Sequence, residues 1–257
     1  MLYKEKNYTI GINYLFNNYI REYDISKANI SVLYSKGAIS EYVYDTLYNS
    51  DRMTRQTYIG MAIKRNPELQ DILSNGIIEY KQKLFESNNI QDFDIVSIKN
   101  DAVFIMNKIP SILSFDRVTF SHKNTYTSFM KLNELEVYYG KNVIDIKGIK
   151  DHDLQFFHME FLNIIITYLE FMQRSAKQAL DYITDIIRSY VNRELPIEAY
   201  RRFRSSSDYV FTTNNLAYTV NILDEKYKDM INIDHNFSIL KLMHIYASQV
   251  LYEEKMK

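Results

Sequence analysis

Hydrophobic periodicity changes several times along this chain, and the order of the changes restricts the fold more than any single motif does. YIREYDI, residues 19–25, reads as a short strand through Asp24. Residues 26–88 then read as four helices. KANISVLYSKG has Ser26 as its expected cap and stops at Gly37. EYVYDTLYN follows Ser40, RMTRQTYIGMAIKR starts at Asp51, and PELQDILSNGIIEYKQKLFESN opens on Pro67. Gly76 interrupts the last of these at modest cost. FDIVSI (93–98) and AVFIMN (102–107) are β-rich runs around Lys99, Asn100 and Asp101, which predicts a hairpin turning at that triplet. DRVTFS, TSFMKL and ELEVYY continue the strand pattern, with a turn at Asn133-Glu134, and IDIKGI (144–149) closes it. From about residue 152 the pattern is helical: FFHMEFLNIIITYLEFMQ, SAKQALDYITDIIRSYVNRE, IEAYRRFR after Pro196, and FSILKLMHIYASQVLYEEKM. The expected class is α+β: a small, mainly antiparallel sheet, a helical block inserted before the central hairpin, and a long-helix C-terminal region.

Composition narrows the function classes. The 257 residues are 46% apolar and 25% charged, enough for a large core in one domain or two closely joined ones. With no cysteine, disulfides, thiolate metal sites and cysteine nucleophiles are excluded, which fits a reducing compartment. The N-terminal MLYKEKNYTIGINYLFNNYI lacks an apolar core and reads as no signal peptide. The most apolar stretch, FLNIIITYLEFM, is broken by Asn163, Thr167 and Glu170 and is too short to span a bilayer. A cytoplasmic protein without a membrane partner is expected. Thirty-one basic and 32 acidic residues nearly cancel, whereas non-specific nucleic-acid binders are usually basic. Only a local basic cleft is then compatible with a nucleic-acid role. Three Pro and six Gly leave no linker-like stretch.

The candidate chemistry centres on two carboxylates. Asp24 ends a strand where a helix begins, and Asp101 lies in a hairpin turn. If those strands are neighbours, both carboxylates emerge at one sheet edge. Their mutual repulsion would be relieved by a hard divalent cation such as Mg²⁺. The plain alternative makes Asp24 a helix-entry residue and Asp101 a turn residue, roles in which Asp is common. The five histidines show no ligand spacing, and no P-loop, dinucleotide-binding glycine pattern or serine elbow is present. Arg193, Arg201, Arg202 and Arg204 offer either a phosphate-binding cluster or a solvated face. Tyr138 and Tyr139 offer either base stacking or sheet packing.

DISKANISVL (Asp24 to Leu33) resembles the first palm motif of family B DNA polymerases, D-x-x-S-L-Y-P-S-I-I. SIKNDAVFI (Ser97 to Ile105) resembles the palm hairpin motif Y-G-D-T-D-S-V-F. IDIKGIKDHD (Ile144 to Asp153) resembles the thumb-proximal K-G-x-x-x-x-R-D stretch, and YVNRELPIEAYRRFR resembles the thumb segment of G-x-V-P-L-x-x-L type. The four stand in the family's order across roughly residues 19–210. The resemblance implies a palm-like sheet in residues 1–150 with reduced helical fingers at about 26–88, and a helical thumb-like region at 151–257. It makes Asp24 and Asp101 the metal-binding and catalytic carboxylates, with Ile25 supplying a carbonyl. It places Asn29 at the sugar-stacking Tyr and Lys147 at the primer-side Lys. The departures are Lys99 in place of the first hairpin Asp, Asn29 in place of an aromatic ring, and no clean fingers motif. Arg52, Arg55, Lys64 and Arg65 occupy the fingers interval and are the candidates for phosphate contacts.

Three functions follow. The first is a degenerate polymerase-like module, inactivated in part by Lys99. It would bind nucleic acid or other proteins in a viral replication or transcription complex, in the host cytoplasm. The second is an active template-dependent nucleotidyltransferase with Mg²⁺ or Mn²⁺ as cofactors, two such ions acting on the transferred phosphate. The third is a helical structural or interaction protein with no relation to polymerases.

Overall fold

The hairpin turn organises the first half of the molecule. In a computed structural model, which describes residues 1–205 and 233–256, strands β3 (Ile95–Lys99) and β4 (Ala102–Met106) pair antiparallel across Asn100 and Asp101. A two-residue connection of this kind needs a positive φ, and Asn100 adopts φ 54°. The run Ile95 to Ile98 is wholly buried, as expected of a strand covered on both faces. β1 (Asn7–Thr9) pairs with β3, and the C-terminal half of β2 (Tyr14–Ile25) pairs with β4, giving the order β1-β3-β4-β2.

Four helices come between β2 and β3: α1 (Ala28–Ser35), α2 (Glu41–Tyr48), α3 (Arg52–Arg65) and α4 (Glu68–Ser87). Ser40 and Asp51 cap α2 and α3, accepting from the backbone N–H of Val43 and Thr54. The expected cap at Ser26 is not formed. Lys27 holds the cap position at φ 51°, and the Ser26 hydroxyl bonds instead to the hydroxyl of Ser121. Pro67 stands one residue ahead of α4, and Gly76 does not interrupt that helix. Gly76 is there for packing: a Cβ at this position would lie 2.4 Å from Val32 Cγ1 of α1.

β5 (Ser114–Phe115) is a short strand pairing with the start of β6 (Val118–Leu132). The pieces DRVTFS and TSFMKL, expected as two strands, are one. The polar His122 to Asn124 between them carries no glycine or proline, and exposed polar residues extend a strand as readily as they end it. β6, β7 (Leu135–Gly140) and β8 (Val143–Lys147) form an antiparallel meander, with Asn133 at φ 57° in the expected turn. Helices α5 (Asp151–Phe157), α6 (Met159–Arg174), α7 (Ala176–Asn192) and α8 (Ile233–Met256) follow. Ser175 breaks α6 from α7 and caps the latter. The helix expected after Pro196 is only a 3-10 turn, Ile197–Tyr200. Its continuation is held by Asn236, which accepts from Phe203 N–H and donates to the Ala199 carbonyl. The last residues of the expected resemblance, 206–210, lie outside the described residues.

The fold is α+β, and the chain forms two compact units: Met1–Gly11 with Tyr19–Thr125, and Ile12–Asn18 with Tyr126–Lys257. In the second unit Met130, Leu132, Val137 and Ile146 share a core with Phe161, Tyr168 and Leu240 of the C-terminal helices. Tyr138 is fully buried against Tyr126 and Phe129, and Tyr139 is nearly so. Neither ring is available to stack on a base. No helix among the described residues is long and apolar enough to cross a membrane.

Candidate active site

Register decides where the two carboxylates meet. Asp24, the penultimate residue of β2, pairs with Ala102, the first residue of β4. Asp101 immediately precedes Ala102 in the turn, so both side chains emerge at one end of the same strand pair. The backbone N–H of Asn100 donates to the Lys6 carbonyl at 2.8 Å, which ties the turn to the N-terminal segment. The two carboxyl groups are within hydrogen-bonding reach of one another. Asp101 also lines a cleft of about 430 Å³ in the first unit. Asn29 of α1, Gln56 and Gly60 of α3, and Ser74 and Lys81 of α4 contribute its walls, with Lys6 at its edge.

Electrostatics at this pair are unusual. Burial and the neighbouring Asp101 charge push the Asp24 carboxyl up to about 6, against a smaller lowering by Lys123. A proton held by Asp24 at mildly acid pH relieves the repulsion between its carboxylate and the Asp101 charge. Lys123 of β6 places Nζ 3.8 Å from Asp24 Oδ2. Lys81, only 1% exposed, donates to the Glu5 carbonyl at 2.5 Å and feels the charge of Asp101. Burial lowers its ammonium to about 8, so most of it is protonated at neutral pH. Lys99, at the end of β3, donates to the Thr9 hydroxyl at 3.0 Å. The donor set does not fit a two-ion centre. With Lys123 paired to Asp24 and the Lys81 ammonium lining the same cleft as Asp101, the two carboxylates carry little surplus negative charge to hold two divalent cations. Among the described residues no group of three or more His, Asp or Glu is placed to share a metal.

A model of the bacteriophage PBS1 gene 130 protein family matches residues 1–248. The chain belongs to this family. A search of curated proteins finds no match.

In this PBS1 gene 130 family member, the expected site residues fall into three groups. Asp24, Asp101 and Asn29 lie in the first unit; Asp101 and Asn29 line the cleft, and Asp24 meets it through Asp101. Arg52, Arg55 and Lys64 all lie on α3 but face different ways. At 100° per residue, Arg52 shares the stripe of Gln56, Ile59 and Ile63 that lines the cleft, one turn before Gln56. Arg55 turns away and donates to the Ser50 carbonyl, and Lys64 is rotated off the stripe at the helix end. Lys147 lies in the second unit, paired with Asp145 at 2.6 Å. Gln56, Gly60 and Lys81 line the cleft without having been expected there from sequence. The periodicity of α3 carried a signal for the first two: Gln56 and Gly60 are polar or small positions four apart. Lys81 gave no signal, since a lysine in YKQKLFE reads as solvated face.

Proposed function

We propose that this phage protein is a polymerase-like module that binds nucleic acid at the Asp24–Asp101 cleft without transferring nucleotides, as part of a replication or transcription complex in the host cytoplasm. The observation that carries this reading is the meeting of Asp24 and Asp101 through the β2–β4 register, the pairing that the resemblance to family B palms implies. Arg52 on the cleft-facing stripe of α3 supplies a phosphate contact. Lys6 at the edge adds a second basic group. Bases enter against Gln56, Asn29 and Asn100, which present amide donors and acceptors. Lys123 against Asp24, and Lys99 at the position of the first hairpin Asp, support the absence of chemistry.

Two measurements on the purified protein test this together. Fluorescence anisotropy with single-stranded DNA and RNA, in EDTA, is expected to show binding that Arg52→Ala weakens by about 3- to 10-fold, the loss of one phosphate contact. Primer extension with dNTPs or NTPs, on DNA and RNA templates with Mg²⁺ or Mn²⁺, is expected to show no product. Extension that disappears in both Asp24→Asn and Asp101→Asn would establish the nucleotidyltransferase instead. The absence of any oligonucleotide binding would leave the fold without a nucleic-acid role.

A further inference from the structure

Two lysines stand near the Asp24–Asp101 pair, one of them in the lining of the cleft. Lys123 reaches Asp24 from β6, and Lys81 reaches toward Asp101 from α4. An ammonium as deeply buried as that of Lys81 is stable only beside compensating negative charge, because one carbonyl acceptor does not replace its hydration shell. We propose that Lys81 and Lys123 are resident counter-ions of the Asp24–Asp101 pair, standing where a nucleotidyl-transfer centre would recruit divalent ions. The proposal rests on the polymerase-like reading only for the comparison; its physical content is charge balance at Lys81, Lys123, Asp24 and Asp101, with the Glu5 carboxylate a lesser charge felt by Lys81. A divalent cation approaching the pair meets the Lys123 ammonium 3.8 Å from Asp24 and the Lys81 ammonium in the cleft that Asp101 lines, and the repulsion acts in a partly desolvated space where charges are weakly screened. Removing an ammonium should therefore create metal affinity that the parent lacks.

Mn²⁺ titration of the full chain at about neutral pH, followed by electron paramagnetic resonance of the free ion and by calorimetry, tests this without reference to activity. The parent is expected to bind more weakly than about 1 mM. Lys81→Met is expected to bind at least about 10-fold more tightly, a gain that disappears in Lys81→Met/Asp101→Asn. If circular dichroism shows that Lys81→Met does not fold, the half-exposed Lys123→Ala carries the test. It should tighten Mn²⁺ about 3-fold and lose that gain when combined with Asp24→Asn. Micromolar Mn²⁺ binding by the parent that Asp101→Asn abolishes would overturn the proposal. So would unchanged Mn²⁺ affinity in the folded lysine variants. Oligonucleotide anisotropy on the same samples keeps the two readings apart. A gain in Mn²⁺ affinity without oligonucleotide binding upholds the counter-ions and rejects the nucleic-acid role. Oligonucleotide binding with no gain rejects the counter-ions alone.

Discussion

At the scale of single residues, Asp24 links the site to stability. Its folded-state pKa lies above its unfolded one, so the folded state holds the extra proton between the two values. The stabilisation this gives is complete below about pH 4 and is lost as pH rises through about 6. After allowance for solvent screening of a partly exposed group, the loss is on the order of 1–2 kcal/mol. Asp24→Asn removes this titration. Urea unfolding at about pH 5 and about pH 8 should show the variant gaining on the parent at the higher pH, by about 1 kcal/mol, even after losing Lys123 as a partner. A variant less stable than the parent at both pH values would mean that the Lys123 ion pair outweighs the repulsion by Asp101. The position of Asp101 itself was legible in the sequence, because two β-rich runs flanking a polar triplet dictate a turn. Lys81 was not, because burial of one lysine on a helix depends on which strand turn packs opposite it.

At the scale of elements, Gly76 tests how closely α1 and α4 approach. Helix propensity alone favours Ala over Gly by about 1 kcal/mol in a helix interior. A methyl group 2.4 Å from Val32 Cγ1 requires one helix to shift, and overpacking of this kind costs about 1–3 kcal/mol. Gly76→Ala should therefore be neutral to destabilising by about 2 kcal/mol, and Gly76→Ala combined with Val32→Ala should recover part of the loss. Additive effects in that double-mutant cycle, read from denaturant midpoints, would show that the contact is not the cause. The helical block was legible element by element from caps at Ser40 and Asp51, which are local chemistry. The failed expectations have non-local causes. Ser26 was drawn from its helix by Ser121, ninety-five residues away, and the helix expected after Pro196 was cut to one turn by the side chain of Asn236.

At the scale of the whole molecule, the core decides where the chain divides. A fragment ending at residue 150 would keep β7 and β8 while losing the helices that bury Val137 and Ile146. Exposure of a sheet face that size should make the fragment bind a hydrophobic dye and aggregate. A monomeric, cooperatively melting fragment 1–150 would place the boundary where the resemblance to polymerase palms implies it. The α+β class, most of the helices and strands in their order, and the hairpin that carries Asp101 follow from local sequence, because periodicity, caps and turn residues act over a few neighbours. That Asp24 meets Asp101, that Arg52 rather than Lys64 shares the cleft-facing stripe, and that Lys81 is buried in the cleft that Asp101 lines came from the folded structure alone. Those facts depend on strand register, helix rotation and desolvation, which arise from contacts between residues far apart in the chain.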